Sequence, residues 1–210
     1  MDFEKLDMLA RKLMSKRKAH LEREIGSIYG HGCRTAVGVQ WLRAQIFPQQ
    51  PEYDDLLHAA ALFHDVGKGI EPHERYGAAL VREALREMVT PLELEEIARL
   101  IFEHCARAPQ SDRLDPWARL LQDADLLDHF GTYEIWMNFN FQAHHGASID
   151  EACRFMQTEY DTYIAKHTAL LNFPLSRAIM ADKCAFMRTF AARLTIESTG
   201  AYVSENLPQA

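Results

Sequence analysis

Three observations in the 210-residue sequence predict an all-α protein. Apolar residues recur at helical spacing along most of the chain, no stretch shows the apolar/polar alternation of a strand, and helix-start signals recur between the apolar segments. Hydrophobic residues make up 48% and charged residues 25%, an ordinary balance for a globule with one sizeable core. Residues 1–210 therefore read as a single domain, with a core from about 26 to 130 and C-terminal helices from about 148 to 197 packing on it. No repeat, low-complexity tract or Gly-rich phosphate loop is seen.

Phe3, Leu6, Leu9, Leu13 and Met14 mark the stripe of a first amphipathic helix, read from Asp2 to about Glu24, with Lys16, Arg17 and Lys18 on its solvated face. Gly26, Gly30 and Gly32 break it, and His31 opens a second helix through Ala36, Val37, Val39, Trp41 and Leu42. Arg34 and Thr35 share the His31 face, three and four residues on. Pro48 and Pro51 make a turn, and Asp54 or Asp55 starts a third helix. His73-Glu74-Arg75 begins the next helix. Thr90-Pro91-Leu92-Glu93 is a capped helix start, and Leu94, Ile97, Leu100 and Ile101 then face inward with His104 on the same side. Pro109 ends that helix and Pro116 starts another, in which Asp125, Asp128 and His129 share one face while Asp123 points elsewhere. An aromatic segment (Trp136, Phe139, Phe141) precedes His144-His145-Gly146, read as a surface loop, and a helix from about Asp150. A last long helix runs from about Pro174 to Glu197, with Leu175, Ile179, Ala185, Phe186, Phe190 and Leu194 as its core face. His20 and His58 are read as structural.

The chemistry concentrates at Leu56-Leu57-His58-Ala59-Ala60-Ala61-Leu62-Phe63-His64-Asp65-Val66-Gly67-Lys68. This is a buried apolar helix ending in His-Asp before a glycine. An imidazole and a carboxylate in such a place cost desolvation unless both are occupied, and a metal ion would occupy both. His31 upstream, His73 and His104 downstream, and Asp125 within Asp123-Ala124-Asp125 each adjoin a helical apolar pattern.

In this order the residues resemble the HD-domain superfamily of metal-dependent phosphohydrolases, whose ligands run His, His-Asp, optional His, Asp. The resemblance implies an HD-domain helical bundle. His31, His64, Asp65 and Asp125 fall on the four defining ligand positions, and His73 and His104 fall where two-metal members carry extra histidines. Gln122-Asp123-Ala124-Asp125-Leu126-Leu127-Asp128 and the end helix with Arg188, Phe190 and Leu194 are similar to the YedJ-like bacterial branch. His64-Asp65-Val66-Gly67-Lys68 together with His73 looks more like two-metal members elsewhere in the superfamily.

The expected cofactor is thus a divalent metal (Mn, Fe, Co, Ni or Mg), as one or two ions. His31, His64, Asp65 and Asp125 would hold the first, and Asp65 would bridge to a second held by His73 and His104. Lys68 and Arg34 are the candidate phosphate contacts, although Arg34 serves equally to orient a carboxylate. Asp128 would orient a ligand or accept a proton. Asp65, Lys68 and Asp128 are the residues expected to take part in catalysis. Cys33 and Cys105 read as small neighbours of His31 and His104, not as ligands, because mixed imidazole/carboxylate sites suit harder metals than thiolates do.

The implied reaction is hydrolysis of a nucleotide or another small phosphate ester by a metal-activated water. A di-iron oxygenase acting on a small polyol or phosphonate would use the same ligands, and a non-catalytic metal-binding regulator is the third reading. The formal net charge of −7 disfavours polymeric nucleic acid and anionic membranes as partners. Four cysteines without CxxC spacing, a charged N-terminus and the lack of a long apolar run point to a cytoplasmic protein with free thiols. A homodimer is compatible with all of this.

Overall fold

The computed structural model describes residues 1–108 and 115–202. The described residues form ten α-helices and no strand. They are α1 (Phe3–Met14), α2 (Ser27–Ile46), α3 (Asp54–Phe63), α4 (His73–Ala84), α5 (Pro91–Glu103), α6 (Pro116–Asp128), α7 (Thr132–His144), α8 (Ile149–Thr158), α9 (Tyr160–Thr168) and α10 (Pro174–Ser198). No helix among the described residues is long and apolar enough to cross a membrane.

The core is built where α3 is enclosed by α2, α5 and α6. Leu57, Ala59, Ala60, Ala61 and Phe63 are fully buried, so α3 is apolar all round and serves as the central rod. Small residues let α2 approach it closely. A Cβ on Gly32 would lie 2.5 Å from the Leu62 carbonyl oxygen. Gly30 and Gly32 therefore belong inside α2, not in a break before it, and His31 sits in the second turn of that helix. Gly67 acts in the same way. A Cβ there would meet the His73 carbonyl oxygen at 2.3 Å and the Gly77 nitrogen at 2.6 Å, so glycine brings α4 against the turn that follows α3.

The capping box at Thr90 forms as the sequence predicts. The Thr90 hydroxyl accepts from the Glu93 amide at 3.3 Å, and the Glu93 carboxylate accepts from the Thr90 amide at 2.7 Å. Asp115 caps α6 by accepting from Trp117 and Ala118, both at 2.9 Å. The expected helix end at Pro109 lies outside the described residues; α5 itself finishes at Glu103.

Two further expectations are corrected. The first helix stops at Met14, and residues 15–26 run irregularly, because beyond Met14 no apolar stripe continues to hold a helix on the core. Arg17 accordingly does not lie on a solvated helix face. Its guanidinium donates to the carbonyls of Val66 at 2.7 Å and Lys68 at 2.6 Å. The second correction is the register of α10. Its buried stripe is Ser176, Met180, Cys184, Met187 and Ala191, and Phe186 is 53% exposed. α10 packs on α8 and α6 through small and flexible side chains, with Phe186 turned outward while Leu175, Ile179 and Phe190 stay half-buried against the core.

Candidate metal centre

Each histidine of the centre is set by the end or the packed face of a helix. His64 follows the last residue of α3 and is fully buried, and its Nδ1 donates to the Ala61 carbonyl at 2.7 Å. His104 follows α5 in the same manner, with Nδ1 on the Ile101 carbonyl at 2.5 Å. His31 projects from α2, and its Nδ1 meets Asp128 Oδ2 at 2.7 Å. His73 opens α4, with Nδ1 3.2 Å from Glu71 Oε2. All four rings thus spend Nδ1 on an oxygen acceptor, and those partners fix the proton there. Four Nε2 atoms are left to point inward.

They converge on two carboxylates. Asp125 Oδ1 lies 3.0 Å from His31 Nε2 and 3.6 Å from His64 Nε2. Asp65 Oδ1 lies 3.4 Å from His73 Nε2, 3.7 Å from His104 Nε2 and 4.0 Å from His64 Nε2. Two donors each about 2.0 to 2.2 Å from one ion stand roughly 3 to 3.5 Å apart, so these separations suit coordination. The more telling contact is between His31 and His64, whose Nε2 atoms face each other at 3.1 Å. Two imidazole nitrogens this close, each ring already bonded through Nδ1, need a shared proton or a cation between them. The residues present therefore fit a divalent metal.

The electrostatics agree with this. Burial opposes charging His31, but hydrogen bonds to Asp125 and Asp128 outweigh it and raise its pKa to about 9. His104 rises to about 9 in the same way, with Asp65 overcoming the cost of burial. The hydrogen bond to Asp65 lifts His73 to about 10. Asp65 and Asp125 are held well below the usual carboxylate range despite their burial, by His64 and by Arg107 respectively. The pocket is a field of buried negative charge that calls for positive charge at its centre.

All six candidate ligands, His31, His64, Asp65, His73, His104 and Asp125, lie in this one cluster. Asp128 braces it from behind. Lys68 reaches the cluster, with Nζ 3.5 Å from Asp65 Oδ2. Arg34 is engaged otherwise. Its Nε and one terminal nitrogen donate to Asp128 at 2.8 and 2.7 Å, and the guanidinium stacks on Tyr133 at 3.7 Å. Of the two roles open to Arg34 in the sequence, orienting a carboxylate is the one its geometry displays. Asp123 faces away, accepting from the backbone amides of Asn172 at 2.8 Å and Phe173 at 3.1 Å. His144 and His145 are exposed at the end of α7. His58 packs edge-on against Phe3 at 4.8 Å, a structural contact as expected.

Two further residues, Arg107 and His129, join the cluster without having been assigned to it, and Cys105 stands beside His104 as the sequence reading expected. Arg107 donates to Asp125 Oδ2. His129 Nε2 lies 3.4 Å from Asp125 Oδ1; the shared face with Asp125 was the available signal. Cys105 places Sγ 3.3 Å from His73 Nε2 and 3.2 Å from His104 Nε2. Burial resists its ionisation, but the two imidazoles bring its pKa down to about 7.

Comparison with known proteins follows the same lines. Residues 28–129 match the HD domain family. A stretch of 64 residues is 44% identical to a bifunctional uridylyltransferase/uridylyl-removing enzyme of Corynebacterium glutamicum, covering 30% of this chain and 9% of that protein. The chain thus spans about a tenth of that curated relative's length. Among solved structures, Bacillus subtilis YpgQ superposes with a TM-score of 0.65 at 18% identity, covering 94% of this chain and 97% of that one. YpgQ in complex with ADP superposes at 0.63 and 18% identity, over 93% and 98% of the two chains. Lin1889 of Listeria innocua gives 0.63 at 20% identity, over 96% and 100%. The order of the candidate ligands, the helical fold and the family match together identify an HD domain in residues 28–129 of this chain.

Proposed function

We propose that the protein is a metal-dependent phosphohydrolase acting on a nucleotide or another small phosphate ester. The observation that carries this is the inward convergence of four imidazole Nε2 atoms on Asp65 and Asp125, with two of them opposed at 3.1 Å. His31, His64, Asp65 and Asp125 would hold one ion, and His73, His104 and Asp65 a second. A divalent metal bound there supplies a water acidic enough to attack phosphorus near neutral pH, and positive charge against which phosphate oxygens settle.

The chain's own groups do the remaining work. Asp128 and the Ala61 and Ile101 carbonyls hold His31, His64 and His104 in the tautomer that offers Nε2. Lys68 and Arg107, both at the edge of the cluster, bring cationic donors to the phosphate oxygens. His129, beside Asp125, would take a proton from the attacking water. Phosphate transfer needs no serine or cysteine nucleophile in this arrangement. The nucleotide preference draws on two relatives: a YpgQ structure contains ADP, and the curated relative is named for adding and removing uridylyl groups.

The test is metal analysis of protein purified without chelator, followed by phosphate release from a panel of esters with Mn, Co, Ni and Mg. Metal-dependent release is the expected result. Oxygen uptake with Fe(II) and no phosphate release with any metal would overturn the reading.

A further inference from the structure

We propose that Cys105 is itself a metal ligand, joining His73 and His104 at the second metal position through Sγ and making that position a site for zinc or a similarly thiophilic ion. The inference rests on the metal centre proposed above and adds a thiolate to it. From sequence Cys105 reads only as a neighbour of the ligands, so the placement of its sulfur is what carries the proposal.

The local fold puts the sulfur there. Adjacent side chains on a continuous helix diverge, so His104 and Cys105 could not share a target within α5. α5 ends at Glu103, and the chain turns. The Ala106 amide donates to the Glu103 carbonyl at 3.0 Å, and the buried Gln122 side chain of α6 donates to the same carbonyl at 2.8 Å. The turn is thus tied to the helix that carries Asp125. From it, Cys105 Sγ comes within 3.2 Å of His104 Nε2 and 3.3 Å of His73 Nε2. The donor atoms of the three residues all lie within 4.8 Å of one another.

These separations suit an ion. A tetrahedral metal with sulfur at about 2.3 Å and imidazole nitrogen at about 2.0 to 2.1 Å sets the two roughly 3.5 Å apart. Asp65 Oδ1, at 3.4 Å from His73 Nε2 and 3.7 Å from His104 Nε2, supplies a fourth donor. A thiol proton bonds one nitrogen only, whereas an ion among the three side chains bonds them all. Imidazole and carboxylate alone also serve harder ions such as manganese, and a thiolate shifts the preference toward zinc and cobalt. The position held by His31, His64, Asp65 and Asp125 has no such ligand, so the two positions differ in chemistry and favour different metals. Cys33 offers the contrast. It lies two residues from His31 but belongs to none of the groups of metal-binding side chains among the described residues.

The experiment uses the full chain, stripped of metal by a chelator and titrated with Co(II). A thiolate bound to cobalt gives an intense near-ultraviolet charge-transfer band. Wild type and Cys33→Ser should show it. Cys105→Ser should lose it while keeping its helical circular dichroism. Zinc affinity at one site of Cys105→Ser should fall by more than about 100-fold, beyond the effect of a residue that only orients a ligand. Cobalt bound without the band, or a band that survives in Cys105→Ser, leaves the metal centre standing and overturns the thiolate ligand. A wild-type chain that binds no cobalt overturns both. Should Cys105→Ser fail to fold, alkylation of wild type decides: bound zinc should protect Cys105, and alkylation of Cys105 unaffected by zinc overturns the inference.

Discussion

Arg17 joins the irregular 15–26 segment to the turn that carries the His-Asp pair, and removing its head group should loosen both. The guanidinium donates to the Val66 carbonyl at 2.7 Å and to the Lys68 carbonyl at 2.6 Å, on either side of Gly67. A hydrogen bond to a charged group contributes about 1.5 to 3 kcal/mol. Both bonds are half-buried, so water would re-solvate part of what is lost, and Arg17→Met should cost about 2 to 4 kcal/mol for the pair. Methionine keeps the aliphatic stem and removes only the donors. Asp65 and Lys68 ride on the same turn, so metal affinity should fall as well, by about 10- to 100-fold, the usual effect of losing a group that orients ligands. Urea unfolding of chelated protein measures the first effect, and Mn titration of refolded protein the second. A variant within about 0.5 kcal/mol of wild type and with unchanged metal affinity would refute the reasoning.

Three more outcomes are expected. Asp65→Ala should abolish phosphate release and lower metal content, because Asp65 Oδ1 stands among three of the inward imidazoles, whereas Lys68→Ala should mainly raise KM; steady-state kinetics with parallel metal analysis checks both. Burial pushes the Glu134 carboxyl from 4.5 up to about 7, against the hydrogen bond from Tyr160. The folded state therefore holds this proton more tightly than the unfolded one, so its contribution is complete below pH 4.5 and is lost as the pH rises through about 7. Wild type should lose up to about 3 kcal/mol relative to Glu134→Gln between pH 4.5 and 8, read by urea unfolding at each pH, and parallel curves would contradict it. Finally, Gly32→Ala places a methyl group 2.5 Å from the Leu62 carbonyl oxygen and should destabilise the protein by about 1 to 3 kcal/mol despite alanine's higher helix propensity. A melting temperature at or above wild type would show that α2 has room to move.

The sequence carried those parts of the fold that depend on local signals. The buried apolar character of α3, the Thr90 cap and the order of the six candidate ligands are all readable residue by residue, and the structure gathers those six side chains in one cluster. What escaped depends on where distant segments meet. Arg17 looked like one charge among several because nothing near it in sequence shows that residues 66–68 offer it two carbonyls. Arg107 lies 18 residues before Asp125 in a stretch without periodicity, so no pattern could link the two. In α10 the branched and aromatic side chains suggested the core face, but packing on α6 and α8 selected the stripe of Ser176, Met180, Cys184, Met187 and Ala191.

The placement of Asp123 bears on where this protein could be cut. The match to the HD domain ends at residue 129, yet Asp123, inside that match and fully shielded from solvent, has its carboxylate satisfied by backbone amides of Asn172 and Phe173. A fragment trimmed to the family boundary would keep the acceptor and discard both its donors and the α10 face packed on α6, two residues from Asp125. Recombination or truncation at that boundary would therefore break a folding unit that sequence similarity alone marks as separable. A shortened version of this chain would have to extend past Phe173, or replace Asp123 with an apolar residue, to remain sound.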